Sequence, residues 1–271
     1  MVLWVNIMTY KCILVEKEPP IGKIYFNTPD NLNAVNVQNL TELYAALDEC
    51  EKDVSIRVIV LGAKGKLFSS GGNVKEFLSS IKEKKAAQKI ADISEILHKC
   101  VQKILDLTKP VIGKIQGGGA YGAGLNLVLS CDLVFADENS VLDEAFANVG
   151  LSCDGGGTYV IPRLIGMKHT KEFFWLGKID AKTAELWGLI NRAAPGDQLD
   201  QMVERVAKKL AGVPPLNVLN TKKLLNVTFL NTVDKQLAEE RQIQIKVAAS
   251  EDFAEGVGAF FEKRKPVYKG K

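Results

Sequence analysis

The feature that most constrains this chain is a unit that occurs twice: a continuous apolar segment, a glycine-rich turn and a helical segment. The first copy spans residues 58–77 and the second spans residues 111–131. A continuous apolar run that ends in glycine is typical of a strand buried on both faces of a sheet. The repetition predicts an α/β fold in which strand and helix modules coil around one shared core.

The segments around the two units also have clear patterns. Two strands are predicted on either side of Pro19 and Pro20, and apolar residues at helical spacing predict a helix from Val37. A long amphipathic pattern predicts a helix from Lys82 to Leu107. Beyond Thr158 we predict an all-helical C-terminal region, with Asp180 as a helix cap and stops at glycines 166, 177 and 188. We place a boundary near residue 200, between a core of residues 1–200 and a helical region of residues 201–271.

Charge and cysteine content narrow the classes of function. A net charge of +3 over 271 residues gives no support for a nucleic-acid partner. The apolar opening MVLWVNIM is shorter than the roughly 20 residues of a membrane span, so we interpret it as a disordered or edge-strand extension, with Met8 as a second candidate start. Five scattered cysteines and two histidines indicate neither a disulfide framework nor a metal site, and they favour the reducing cytoplasm.

Two stretches have residues suited to catalysis. Gly122, Ala123 and Gly124 open a predicted helix, where backbone N–H groups at the positive end of the helix dipole suit a developing negative oxygen. Further along, Asp154 is a lone carboxylate between Cys153 and three glycines. The alternative for Asp154 is a turn residue that binds its own backbone, which Asp-Gly sequences favour.

The same glycines permit a second interpretation. Gly117, Gly119 and Gly122 spell GxGxxG between a strand and a helix, and Asp137 follows at about the spacing of a dinucleotide-binding fingerprint. The mid-chain position and the additional Gly118 make this alternative weak.

Five ordered motifs resemble the enoyl-CoA hydratase/isomerase (crotonase) family: NTPDNLNAVN, FSSGGNVKEF, GAYGAGLNLVLSCD, FANVGLSCDGGGTYVIPRLIG and LGKIDAKTAELWGLINR. The resemblance extends from about Tyr10 to the C-terminal end. It implies a coiled β-β-α core and a helical C-terminal region that assembles a homotrimer or a dimer of trimers. It also implies coenzyme A thioester substrates, without a metal or a separate cofactor, and no membrane partner.

The resemblance also implies roles for individual residues. The backbone N–H groups of Gly72 and Ala123 correspond to the oxyanion hole that stabilises the enolate of the thioester. Asp154 occupies the position at which some isomerases of the family place a catalytic aspartate. The implied substrate-binding residues are Ala34, Ser70, Asn73, Asn126 and Phe146.

The sequence departs from the family pattern at the two positions where hydratases have glutamates. Those positions hold Asn126 and Phe146, which cannot provide the paired acid and base that hydration needs. We therefore predict that Asp154 moves a proton between carbons of an enoyl-CoA, and that Asp143 and Glu144 cap a turn. Hydration or hydrolysis of an unusual acyl-CoA, and a non-catalytic acyl-CoA-binding role, remain the alternatives.

Overall fold

The computed structural model describes residues 10–271, which form a main six-stranded sheet, a second sheet of three short strands and ten α-helices. The predicted N-terminal extension lies outside the described residues. The strands are β1 (Ile13–Glu18), β2 (Ile21–Phe26), β3 (Val58–Ala63), β4 (Val111–Ile115), β5 (Gly119–Tyr121), β6 (Leu133–Asp137), β7 (Val141–Asp143), β8 (Ile179–Asp180) and β9 (Arg192–Ala194). The helices are α1 (Val37–Lys52), α2 (Val74–Lys82), α3 (Ala86–Asp106), α4 (Gly122–Leu129), α5 (Gly157–Leu176), α6 (Ala181–Trp187), α7 (Gly196–Ala211), α8 (Pro215–Val227), α9 (Val233–Ala248) and α10 (Glu251–Phe261).

The main sheet has the order β1-β2-β3-β4-β6-β9. β1 and β2 form an antiparallel hairpin, and every other neighbouring pair in this sheet is parallel. The second sheet has the order β5-β7-β8. β3 is followed by α2 and α3 before the parallel strand β4, and β4 is followed by β5 and α4 before the parallel strand β6, which confirms the predicted coil of strand and helix modules.

Residues of β3 alternate between two hydrophobic cores. Ile59 and Leu61 point into a large core shared with α1, α3, α4 and α5, whereas Val58 and Val60 pack against α7 on the opposite face. All six residues of β3 are buried. The prediction of a strand buried on both faces is confirmed.

The region after Thr158 is not all-helical. β9 joins the main sheet beside β6, and β8 pairs with β7 in the second sheet. Strands of two or three residues are too short to show an alternating pattern of apolar and polar residues. The helical pattern of the neighbouring residues therefore led to a helical prediction for the whole region. The predicted boundary at residue 200 falls inside α7, and the division into two units stays a prediction.

The predicted helix from Lys82 to Leu107 begins later, at Ala86. α2 continues to Lys82, and the chain turns at Lys84, whose φ of 57° is left-handed. The ends of α5 and α6 lie closer to their predicted positions. Asp180 caps α6 and Gly177 and Gly188 terminate α5 and α6, as predicted. Gly166, with a non-helical φ of 70° and ψ of 168°, ends the first of two helical segments within α5, so the predicted stop there is also confirmed.

Helix α8 is fixed to α3 by a buried lysine. Lys222 Nζ donates to the Ile104 carbonyl and to Asp132 Oδ2, each at 2.8 Å. Its side chain is only 8% exposed, so the ion pair is largely shielded from water. This contact holds one C-terminal helix beside the long helix that borders the site described next.

Candidate active site

A cavity of about 310 Å³ brings together the two glycine loops and the loop that bears Asp154. α2 and α3 form one side of the cavity, and the start of α4 and the segment 145–154 form the other. Its lining comprises Val35, Ser70, Gly71, Gly72, Val74, Phe77, Ile90, Ile93, Ser94, Gly122, Ala123, Ala145, Phe146, Val149, Leu151, Ser152 and Asp154. The predicted oxyanion-hole residues and the predicted base therefore share one cavity.

The two glycine loops lie against each other. The Tyr121 N–H donates to the Ser69 carbonyl at 3.0 Å, and Gly71 adopts a left-handed φ of 79°. A Cβ at Gly71 would lie 2.9 Å from the Tyr121 oxygen, closer than van der Waals contact allows. Glycine at this position thus permits the close approach of the loops.

The backbone N–H groups of Gly72 and Ala123 are available to a ligand. Ala123 is the second residue of α4, where N–H groups have no acceptor within the helix. Within residues 10–271 the Gly72 N–H donates to no protein acceptor. Two free amides, one of them at a helix N-terminus, suit a developing oxyanion.

The Asp154 side chain contacts α3 rather than its own turn. Ser94 Oγ donates to Asp154 Oδ2 at 2.6 Å. Asp154 Oδ1 is buried and has no hydrogen-bond partner within the described part of the chain. The alternative in which Asp154 binds its own backbone is therefore wrong, and one carboxylate oxygen is left without a donor.

The backbone around Asp154 is held from two sides. Asn126 Nδ2 donates to the Asp154 carbonyl at 2.8 Å, and the Gly155 N–H donates to His98 Nε2 at 3.2 Å. Asn126 is 1% exposed and lies behind the cavity wall. Its amide supports the loop and does not face the cavity.

Phe146 covers the second glycine loop. A Cβ at Gly122 would lie 3.7 Å from the Phe146 ring, so the ring packs over the start of α4. The ring also lines the cavity. An apolar surface therefore occupies the position at which the resemblance would place a second carboxylate.

Glu144 differs from its predicted role. Asp143 caps the turn as predicted, since its Oδ1 accepts from the Ala145 N–H at 2.9 Å. Glu144 does not cap it; its side chain is 3% exposed and contacts Asn126 and Cys153. Burial raises the pKa of the Glu144 carboxyl to about 8, the donors Cys153 and Asn126 partly offset that rise, and the charges of Asp143 and Asp154 add to it.

Cys153 is not among the residues that line this cavity, and its thiol is poorly suited to act as a nucleophile. Burial, followed by the nearby Glu144 carboxyl, raises the pKa of the Cys153 thiol far above its usual range. The thiol therefore stays protonated at neutral pH. A protonated thiol is a weak nucleophile.

The structure brings some of the predicted substrate-binding residues to the cavity and not others. Ser70 and Phe146 line it. Ala34 is buried, and its carbonyl accepts from Asn39 Nδ2, while the neighbouring Val35 takes the place in the wall. The Asn73 side chain caps α2, and Asn126 is turned toward the loop. Direct substrate contact by Ala34, Asn73 or Asn126 is therefore not supported by this arrangement.

Ser94 is a site residue that the sequence analysis missed. The apolar face of α3 includes Ile90, Ile93 and Leu97. Ser94 comes four residues after Ile90 and therefore lies on the same face of the helix. A polar residue within an apolar stripe was the available signal. Its partner could not be read from the sequence, because Asp154 lies 60 residues away.

Residues 10–271 contain neither a metal-binding cluster nor a membrane-spanning helix. No group of three His, Cys, Asp or Glu side chains there is arranged to hold a metal ion. No helix in this range is long and apolar enough to cross a membrane.

Comparisons with known proteins agree on one family. The enoyl-CoA hydratase/isomerase family model matches residues 16–271. A 1,2-epoxyphenylacetyl-CoA isomerase from Escherichia coli K12 is 31% identical, over 96% of this chain and 98% of that protein. A probable enoyl-CoA hydratase from Rhodobacter capsulatus is 32% identical, over 97% of this chain and all of that protein. The crystal structure of an enoyl-CoA hydratase from Bacillus anthracis, 29% identical, superposes with a TM-score of 0.90 over 96% of this chain and all of that one.

Proposed function

The chain belongs to the enoyl-CoA hydratase/isomerase family, and from that premise we propose that it moves the double bond of an enoyl-CoA thioester. The observation that carries the proposal is the shared cavity, which is lined by Asp154 together with Gly72 and Ala123. The relatives include proteins named as isomerases and proteins named as hydratases. The choice between isomerisation and hydration for this chain therefore depends on its own residues.

The proposed reaction uses one base twice. The Asp154 carboxylate removes the α proton of a 3-enoyl thioester, and the electron pair of that C–H bond moves toward the thioester oxygen. The N–H groups of Gly72 and Ala123 stabilise the resulting dienolate. The protonated Asp154 then returns the proton to the γ carbon, and the double bond lies one position closer to the thioester.

The residues around the cavity favour isomerisation over hydration. Addition of water needs one carboxylate to activate water and a second acid to deliver a proton. Phe146 presents a phenyl ring, Asn126 faces away from the cavity, and Glu144 is absent from its lining. Asp154 is therefore the one carboxylate among the residues that line the cavity.

The test is incubation with 3-hexenoyl-CoA in deuterated water, with products followed by mass spectrometry. Migration of the double bond supports the proposal, and the deuterium content of the product measures how often the proton held by Asp154 exchanges with solvent before it reaches the γ carbon. A product heavier by one water would indicate a hydratase, and release of free coenzyme A would indicate a hydrolase. An Asp154→Asn variant serves as the control for background exchange.

Self-association is part of the proposal. Trp175, Phe260 and Phe261 are 71%, 80% and 78% exposed, and large exposed apolar surfaces mark interaction sites. We propose that they lie between copies in a homotrimer or a dimer of trimers. Light scattering coupled to size-exclusion chromatography measures the number of copies directly.

A further inference from the structure

The Glu144 carboxyl takes no part in the reaction proposed above, yet it is buried beside the loop that bears Asp154. Glu144 directly follows β7, and its carboxyl contacts Asn126 of α4 and Cys153 of the loop. Asn126 in turn donates to the Asp154 carbonyl at 2.8 Å. One amide group therefore links the Glu144 carboxyl to the backbone of the proposed base.

The Asp154 carbonyl sets the orientation of this amide. A carbonyl oxygen only accepts hydrogen bonds, so Nδ2 of Asn126, and not Oδ1, must face it. The Gly157 N–H also donates to the Asp154 carbonyl, at the longer distance of 3.3 Å. The contact with Asn126 is the shorter of the two and reaches the loop from a different element, α4.

Helix α5 closes over the other side of the amide. A Cβ at Gly157, the first residue of α5, would lie 2.6 Å from Asn126 Nδ2, from Asn126 Oδ1 and from Cys153 Sγ. The absence of a side chain at Gly157 lets the helix come this close, and no water molecule fits between the helix and the amide. On this side the Asn126 amide can reach only protein groups.

The hydrogen bonds of this cluster lack one donor if Glu144 is ionised. Once the Asp154 carbonyl has taken one N–H of Asn126, the remaining donors are the second N–H and the Cys153 thiol. Three oxygens then compete for these two donors: both oxygens of Glu144 and Oδ1 of Asn126. Within the described residues Glu144 Oε1 and Asn126 Oδ1 are indeed buried without a partner.

A proton on Glu144 supplies the missing donor. A carboxylic acid and a primary amide form two parallel hydrogen bonds, one from the amide N–H to the acid and one from the acid O–H to the amide oxygen. The first of these corresponds to the 3.4 Å contact between Asn126 Nδ2 and Glu144 Oε2. The second would join the two oxygens that have no partner.

The surroundings of Glu144 favour its protonated form. The charged groups that act on it are Asp143 and Asp154, both acidic, and its other titratable neighbour is the Cys153 thiol. From α3, His98 accepts a hydrogen bond from the loop backbone, while α4 and α5 face the cluster with an amide and a glycine. Burial without a cation among these neighbours raises the pKa of the Glu144 carboxyl to about 8.

We propose that Glu144 is a positioning residue for the base: in its protonated form it donates to Asn126 Oδ1 and so fixes the amide that holds the Asp154 carbonyl. The inference rests on the proposed function in taking Asp154 to be the base. Loss of the proton removes this hydrogen bond and adds a negative charge beside the Asp154 carboxylate. Turnover should therefore fall as pH rises and Glu144 ionises.

The first test is the pH dependence of kcat on 3-hexenoyl-CoA. We expect kcat of the unmodified protein to fall at least about fivefold between about pH 7 and about pH 9.5. Glu144→Gln cannot ionise and still offers Asn126 both a donor and an acceptor, so this variant should lack the fall. Glu83→Gln, at an exposed position, is the control and should keep it. An equal fall in Glu144→Gln, or no fall in the unmodified protein, would overturn the inference.

The second test needs no turnover and follows hydrogen–deuterium exchange of the loop, residues 150–156, at neutral pH. Glu144→Met has a side chain of similar length but offers Asn126 no donor, so the loop should exchange at least about threefold faster than in the unmodified protein. Glu144→Gln restores the donor and should exchange at the unmodified rate. Equal exchange of the buried strand β3 in all three proteins shows that the variants are folded.

The two tests separate the role of Glu144 from the proposed reaction. Equal loop exchange in all three proteins, or equally fast exchange in the Met and Gln variants, would overturn the inference. Faster loop exchange in Glu144→Met alone, without double-bond migration by the unmodified protein, would refute the proposed reaction and keep the hold of Glu144 on the loop. Double-bond migration together with equal loop exchange would refute the role of Glu144 alone.

Discussion

Ser94 and Asp154 are joined by a 2.6 Å hydrogen bond between the middle of α3 and a loop 60 residues later in the chain. The bond fixes one carboxylate oxygen and leaves Oδ1 without a protein donor in the described region. Both residues line the catalytic cavity. Within the described residues, a single hydrogen bond from α3 therefore fixes the orientation of the Asp154 carboxylate.

Removal of the Ser94 hydroxyl should impair the reaction without unfolding the protein. In Ser94→Ala, Asp154 Oδ2 loses its donor and the carboxylate loses its fixed orientation, so we expect turnover to fall about tenfold to a hundredfold. Ser94→Thr keeps a hydroxyl and should retain more activity than Ser94→Ala. Steady-state rates on 3-hexenoyl-CoA check this, and equal rates for the two variants would contradict it.

Neutralisation of Asp154 should abolish most turnover and preserve binding. Asp154→Asn keeps the shape of the side chain but cannot accept a proton, and loss of a general base typically costs about 10²–10⁴ in rate. The matched control is Asp92→Asn, on α3 and outside the catalytic cavity, which should behave like the unmodified protein. Rates together with calorimetric affinity for butanoyl-CoA separate catalysis from binding, and an active Asp154→Asn variant would refute the proposed base.

Alanine in place of Gly72 should displace a neighbouring ring. The new Cβ would lie 2.4 Å from Cζ of Phe77, which lines the cavity, so the ring has to move. We expect activity to fall about tenfold or more, because small displacements at a reacting centre are costly. Phe77→Leu in the same chain should restore part of the loss, and the single Phe77→Leu variant supplies the reference rate. If the double variant is no better than Gly72→Ala, the ring is not the cause.

Burial of Glu144 predicts that stability decreases with rising pH. Its pKa of about 8 in the fold exceeds the ordinary glutamate value of 4.5, so the folded state binds more protons than the unfolded state between those values. The stabilisation is fully present below about pH 4.5 and is lost as pH rises through about 8, at up to about 1.4 kcal/mol per pH unit. Urea unfolding at pH 6, 7 and 8 measures the slope.

The Glu144→Gln variant cannot ionise at this position and should show a flatter dependence over the same range. Glu83→Gln, at an exposed position, is the control and should keep the slope of the unmodified protein. Identical slopes for all three proteins would show that Glu144 does not titrate in this window.

Loss of the Lys222 ammonium should destabilise the attachment of α8. Lys222→Met leaves the Ile104 carbonyl without this donor and removes the ammonium from Asp132 Oδ2, which keeps only the Val111 N–H, and we expect a loss of about 1–3 kcal/mol in the free energy of unfolding. Lys223→Met, at the exposed neighbouring position, should change stability by no more than about 0.5 kcal/mol. Equal stabilities of the two variants in denaturant titrations would contradict this.

The sequence identified the parts of the site that depend on backbone chemistry. The glycine turn that opens a helix predicted the loop with Ala123, the family resemblance added Gly72, and an isolated carboxylate among glycines predicted Asp154. These signals are local, because each depends on residue types within a few positions. The structure brings all three residues to one cavity.

The parts that were missed depend on contacts between distant segments. The Ser94 contact follows from how α3 lies against the loop, and the burial of Glu144 follows from a three-residue strand that ends at Asp143. β9 was assigned to the helical region, although it completes the main sheet beside β6. None of these relationships leaves a repeating pattern along the chain.

The backbone hydrogen bonds around Asp154 hold the loop independently of the side chain at position 154, which affects how a new activity can evolve in this fold. The loop is held by the Asn126 amide at the Asp154 carbonyl and by His98 at the Gly155 N–H, and neither bond involves the side chain of residue 154. Replacement of that side chain therefore leaves these two bonds intact. Evolution can exchange the reactive group at this position in a single codon change without first rebuilding the loop that presents it.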